Sequence, residues 1–219
     1  MKVIGILGFI GSGKNTVASY IRDKYGFHQK SFAGPLKDAC SVIFNWPREL
    51  LEGDTEQSRI FRELKDEWWS NALGYEITPR LMLQKLGTEA GRDVLGKDIW
   101  VSSTVSGFLP GEQYVISDCR FPNEIQAIRA CGGKLIWVTR GNNPEWYDCA
   151  LRTNLGTAIG AASMQERYPD VHISEWAWIG TSFDYVVDNN TNLTYLYSHI
   201  DQIMENEKDE TIPTNLIHS

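Results

Sequence analysis

The chain is poor in the residues that staple small proteins or mark them chemically. Four cysteines, Cys40, Cys119, Cys131 and Cys149, are scattered through 219 residues with no Cys-x-x-Cys pair. That spacing builds neither a disulfide framework nor a zinc ribbon, and a chain of this length can bury a core without either. The four histidines, His28, His172, His199 and His218, lie far apart and lack metal-ligand spacing. No apolar run reaches the length of a membrane span. Positive charge is also short. Lys+Arg number 21 against 28 Asp+Glu, for a formal net charge of -7. General affinity for nucleic acid rests on dense positive charge and is excluded, which leaves room only for a local cationic pocket. Hydrophobic residues at 42% and charged residues at 22% are the mix of a globular chain. The apolar start from Val3 to Ile10 is short and ends in Gly-Ser-Gly-Lys rather than a small-residue cleavage site, so a cytoplasmic protein is expected.

What is present alternates. Val3 to Leu7 reads as a buried parallel strand, and Val17, Ala18, Ile21 and Tyr25 recur at helical spacing before Gly26. Further strands are expected at 27–32, 114–116, 134–139 and 185–187. Helices are expected after Pro35, from Asn123 to Ala130, and from Leu193 to Met204. The expected fold class is therefore α/β, a parallel five-stranded sheet flanked by helices. We read 1–219 as one domain with a mostly helical region over 35–107. The segment 141–182 is irregular, and the polar tail 205–219 is expected to be flexible.

Gly8-Phe9-Ile10-Gly11-Ser12-Gly13-Lys14-Asn15-Thr16 is the strongest local signal. An apolar strand, glycines, a lysine and a hydroxyl on the following helix are the parts of a P-loop, in order. Gly11, Ser12, Gly13, Lys14, Asn15 and Thr16 are thus candidates to hold ATP. Lys14 would reach the β- and γ-phosphates, and Thr16 would face Mg2+ directly or through water. The strict pattern has Ser or Thr where Asn15 stands, and the hydroxyl here comes one residue later. No guanine-reading Asn-Lys-x-Asp element occurs. A P-loop NTPase fold with a helical region and a late irregular segment then points to a small-molecule kinase, the helical region holding the acceptor and 141–182 serving as a lid.

The acceptor needs cations and base contacts. Lys37 follows the second strand, and Arg80 and Gln84 are four apart, on one helical face. Arg92 divides evenly between surface charge and function. Asp118 and Arg120 follow the strand ending at Ser117, where parallel sheets place ligands. A carboxylate there could polarise an acceptor oxygen, an arginine could clamp phosphate, or the two could simply pair with each other. Arg140 ends the next strand and could stabilise transferring charge, with Arg152 and Arg167 weaker candidates. Trp46, Trp68, Trp69 and Trp137 are expected to be core or packing residues. Trp100 could stack on a base, and His172-Ile173-Ser174-Glu175 reads as a turn or helix cap.

Taken together, Gly13-Lys14-Asn15-Thr16, Ala33-Gly34-Pro35-Leu36-Lys37-Asp38-Ala39, Leu86-Gly87-Thr88-Glu89, Asp98-Ile99-Trp100-Val101, Asp118-Cys119-Arg120 with Glu124, Arg140, His172-Ile173-Ser174-Glu175 and Asp188-Asn189 resemble the phage deoxynucleoside monophosphate kinases. The resemblance implies ATP and Mg2+ as cofactors. It implies a deoxynucleoside monophosphate as the small-molecule partner, with no direct nucleic acid or membrane partner, and work as a monomer or homodimer in the host cytoplasm. It implies that Lys37, Arg80, Gly87, Thr88, Trp100, Asp118, Arg120 and Glu124 line the acceptor site, that Arg140 belongs to the lid, and that Asn189 lies near the adenine of ATP. Asn15 replaces an acidic residue of the T-even phage enzyme. A phosphomevalonate-type kinase shares the Gly-Pro-Leu-Lys and Ser-Asp-x-Arg pieces and is the alternative. A non-catalytic nucleotide-binding module is the other.

Overall fold

In the computed structural model, which describes residues 2–157 and 162–209, the first strand is the one the sequence marks most plainly. Strand β1 (Lys2–Leu7) is followed by helix α1 (Lys14–Tyr25), β2 (His28–Lys30) and α2 (Gly34–Phe44). Helices α3 (Glu56–Glu63), α4 (Glu67–Leu73), α5 (Pro79–Lys85) and α6 (Ile99–Ser106) come next. After them the chain alternates: β3 (Gln113–Ile116), α7 (Pro122–Ala130), β4 (Lys134–Thr139), α8 (Tyr147–Asn154), α9 (Met164–Arg167), β5 (Tyr185–Asp188) and α10 (Leu193–Asp209).

The five strands form one sheet in the order β2-β3-β1-β4-β5. β1 is parallel to β3 and to β4, and β4 is parallel to β5. Parallel pairing puts the carboxyl ends of these four strands on one rim. Gly8, Ser117, Arg140 and Asn189, each the residue after a strand, therefore emerge together, as open parallel sheets require of a ligand site. β1 is central and buried on both faces, which is why Val3 to Leu7 is continuously apolar rather than alternating. Glycine at position 5 also keeps helix α7 close, because a Cβ there would lie 2.4 Å from the Ile128 side chain.

The chain divides into two compact units, Met1–Gln29 with Leu109–Ser219, and Lys30–Phe108. The first is built on Ile4, Ile6, Val17, Ile21, Val115, Ile136, Val187, Leu196 and Ile200. In it α1 and α10 turn their apolar stripes to the sheet. The second closes on Cys40, Trp46, Leu51, Ile77, Met82 and Leu83, with helices as its regular elements beyond Lys30. Among the described residues no helix is long and apolar enough to cross a membrane.

Three expectations are corrected. The polar tail does not begin at Glu205, because α10 continues to Asp209. Glu207 is only 5% exposed. It accepts a hydrogen bond from Tyr185 Oη (2.7 Å) and pairs with Lys2 and Lys134 at 3.5 and 3.6 Å. A polar-looking turn of helix thus has buried partners that its composition hides, while 210–219 lie outside the described residues. Strand β2 is three residues rather than six, flanked by buried Phe27 and Phe32. Trp68 is exposed, unlike buried Trp46.

Candidate active site

Between β1 and α1 the backbone takes a path that only glycine follows easily. Gly8, Gly11 and Gly13 have φ of 146°, 78° and 101°. Two of them also lack room. A Cβ on Gly8 would lie 2.4 Å from the Val138 carbonyl oxygen, and one on Gly13 would lie 2.4 Å from Asn189 Nδ2. Lys14 Nζ donates to the carbonyls of Gly8 and Phe9, both at 2.7 Å, and Ser12 N donates to Phe9 O at 3.2 Å. The loop is therefore laced from beneath by its own lysine. Helix α1 opens with no side-chain cap and no acidic residue in its first turn. Its first amides are left for an outside acceptor, with the positive end of the helix dipole behind them.

Burial lowers the Lys14 pKa from the ordinary 10.5 to about 8, and the Arg120 guanidinium lowers it too. The Glu175 and Asp118 carboxylates and Cys119 pull the other way. This charge is held near neutral pH in a site that resists it, which suits a group awaiting an anion. The Ser12 hydroxyl is buried and has no hydrogen-bond partner among the described residues.

Past β3, Ser117 and Cys119 are buried and Arg120 turns outward. Arg120 Nη1 donates to the Glu175 carboxylate and, at 3.4 Å, to Ser174 Oγ. Its ion-pair partner is thus Glu175 and not Asp118. Glu124, 4% exposed, accepts from the amides of Arg120 (2.7 Å) and Phe121 (3.1 Å), so it ties the arginine turn to the start of α7. Burial pushes the Cys119 thiol well up, with Asp118 and Glu124 adding to it, and this removes it as a nucleophile.

Asn189 donates to the Ser12 carbonyl at 2.8 Å, so the residue expected near adenine braces the loop. Thr16 is half-buried on α1, Asn15 and Gly11 are exposed, and Arg140 is exposed with no ion pair or hydrogen bond among the described residues. Phe9 packs its ring against Trp146, Tyr147 and Trp178 at 5.6, 6.2 and 5.0 Å. Trp146, Tyr147 and Trp178, from a stretch irregular by composition, are therefore anchored on the loop by aromatic contacts. Arg152 and Arg167 lie on α8 and α9. Among the described residues no group of three or more His, Cys, Asp or Glu could hold a metal.

The unit Lys30–Phe108 carries the expected acceptor residues. Lys37 pairs with Glu52 at 2.6 Å, and Arg48 reaches both Glu52 and Asp38. Arg80 pairs with Glu63 on α3, while Gln84, on the same face of α5, is exposed. A wide π-helical stretch follows over Leu86–Leu95, a form that often marks functional segments. It presents Thr88 to solvent and buries Gly87 against Leu36. Trp100 Nε1 donates to the Gly87 carbonyl at 2.8 Å, and its ring covers Gly91, where a Cβ would lie 2.5 Å away. Trp100 is thus half-buried and fixed by packing. Sequence reasoning noted Ser174 and Glu175 but missed their pairing with Arg120, because that partner is distant in sequence.

The deoxynucleotide monophosphate kinase family model matches residues 49–156. A protein of Acanthamoeba polyphaga mimivirus named for deoxynucleotide monophosphate kinase activity is 34% identical over 94% of this chain and 97% of its own length. The deoxynucleoside-5'-monophosphate kinase of Escherichia phage T5 is 28% identical, over 58% of this chain and 71% of its own. Among solved structures, the shikimate kinase of Aquifex aeolicus superposes with a TM-score of 0.41 at 10% identity, covering 95% of this chain and 98% of that one.

Proposed function

Because the chain belongs to the deoxynucleotide monophosphate kinase family, we propose that it moves the γ-phosphoryl group of ATP onto a deoxynucleoside 5'-monophosphate, with Mg2+ as cofactor. The observation that carries this reading is the glycine cradle, which is uncapped, laced by Lys14 and flanked by Arg120. Phosphoryl transfer asks little covalent work of a protein. It asks for two anions held in line and for charge compensation as the bond breaks.

The roles divide accordingly. Amides from Gly11 to Thr16 and the Lys14 ammonium bind ATP phosphates. Thr16 would hold Mg2+ through its hydroxyl, directly or through water, and the cation would supply charge neutralisation there. Asp118 polarises the acceptor oxygen or holds a metal-bound water. Arg120 and Arg140 offset negative charge in the transition state, a role worth on the order of 10³-fold where it is supplied by arginine. Lys37, Arg80, Gln84, Gly87, Thr88 and Trp100 form the acceptor side, with Glu124 fixing the Arg120 turn. Asn189 braces the loop against the adenine end, and segment 141–182 closes over ATP to exclude water.

The test is coupled ADP release with a panel of deoxy- and ribonucleoside monophosphates. Release that depends on a deoxynucleoside monophosphate supports the proposal. Release driven by a phosphorylated isoprenoid acid alone, or independent of any acceptor, overturns it.

A further inference from the structure

One short segment touches both halves of the phosphate machinery in the first unit. Residues His172 to Trp178 form a single fixed turn. His172 Nδ1 accepts from Ser174 N (3.2 Å), Glu175 N donates to His172 O (2.9 Å), and Trp176 N donates to Ile173 O (3.1 Å). Behind the turn, Trp176 and Trp178 are buried, and Trp178 packs on Phe9 of the glycine loop. Its other end meets Arg120 through Glu175 and Ser174.

The pairing is one-sided. A guanidinium carries five donors in a planar fork. Only Nη1 of Arg120 is engaged, while Nε and Nη2 make no hydrogen bond with any described residue. The side chain is 36% exposed, so that edge is open to a ligand. Two parallel donors on an open edge are the arrangement that takes a phosphate bidentately. Meanwhile the Arg120 backbone is fixed from below by Glu124. The arginine is thus held at its amide and at one terminal nitrogen.

We propose that Glu175 is a positioning residue for phosphoryl transfer, holding the Arg120 guanidinium by one nitrogen so that its opposite edge faces the incoming phosphate. The inference rests on the phosphate reading of the Lys14 loop and adds to it a carboxylate that touches no substrate. Glu175 acts through Arg120, and it also supplies negative charge near Lys14. The groups acting on the Lys14 ammonium are Arg120 on one side and Glu175, Asp118 and Cys119 on the other, with the Gly8 and Phe9 carbonyls as acceptors.

The experiment uses the full chain, with ATP and Mg2+ as probes, and compares wild type, Glu175→Gln, Glu175→Asp and Lys14→Ala. Glu175→Gln is expected to lower kcat on the order of 10²-fold, the cost of a misplaced catalytic group, with little change in KM for the monophosphate. Glu175→Asp keeps the carboxylate that holds Arg120 Nη1, so it is expected to recover most of the lost kcat. Wild-type kcat in Glu175→Gln overturns the proposal. So does a loss of kcat that tracks a fallen melting temperature in both variants, with no recovery in Glu175→Asp, because that is a merely structural role. Lys14→Ala separates the two levels. If it keeps full activity, the phosphate reading itself fails; if it is inactive while Glu175→Gln is normal, only the role of Glu175 fails.

Discussion

Lys14 carries its charge where burial opposes it, and that tension is measurable. Its folded pKa of about 8 lies below the 10.5 it would have in the unfolded chain. The unfolded chain therefore holds the proton between pH 8 and 10.5 while the folded chain does not, so this group makes stability rise with pH across that window. Holding the ammonium at neutral pH costs about 3 kcal/mol, part of which the two carbonyl hydrogen bonds offset. Lys14→Met is expected to abolish transfer and to raise the melting temperature at neutral pH by a few degrees. The wild-type-minus-variant difference should shrink as pH climbs from 8 to 10.5. Thermal melts at several pH values check this. A variant less stable than wild type at pH 7 contradicts it. At the same scale, the pairing of Glu175 with Arg120 was invisible in sequence, because nothing in His172-Ile173-Ser174-Glu175 reveals an arginine 55 positions away.

The glycine loop was legible as an element because its backbone path demands residue types that few other structures need. A left-handed Gly13 packed under Asn189, and a Gly8 packed under Val138, leave no latitude for substitution. Gly13→Ala should cost about 1–3 kcal/mol through the positive φ, besides the clash. ATP binding should fall with it, while the sheet persists. The double variant Gly13→Ala with Asn189→Ala removes the clash but not the strained φ, so it should recover little. Denaturant unfolding of both variants beside an ATP titration reads this out, and full recovery in the double variant would show that the clash alone matters. By contrast, the π-helical stretch Leu86–Leu95 could not be read from the sequence. Its register depends on Gly87 meeting Leu36 and Gly91 meeting Trp100, contacts that helical periodicity does not encode. The end of α10 was misread for a related reason. Glu207 looks solvated until Lys2, Lys134 and Tyr185 arrive from three strands.

For the whole molecule, alternating apolar runs and helical stripes were enough to read a parallel α/β sheet flanked by helices. The strand order β2-β3-β1-β4-β5 puts the buried β1 at the centre of the sheet. The division at Lys30 and Phe108 left a trace as the loss of strand signal between them. The central claim is that the Lys14 cradle passes a phosphoryl group straight to an acceptor anion. It is tested most directly by single-turnover transfer from ATP labelled in the γ-phosphate, with a deoxynucleoside monophosphate present. The account expects the label in the deoxynucleoside diphosphate, one for each ADP formed, and a loss on the order of 10³-fold in Lys14→Ala. Label appearing as inorganic phosphate whether or not the monophosphate is present, or equal transfer by Lys14→Ala, would contradict it.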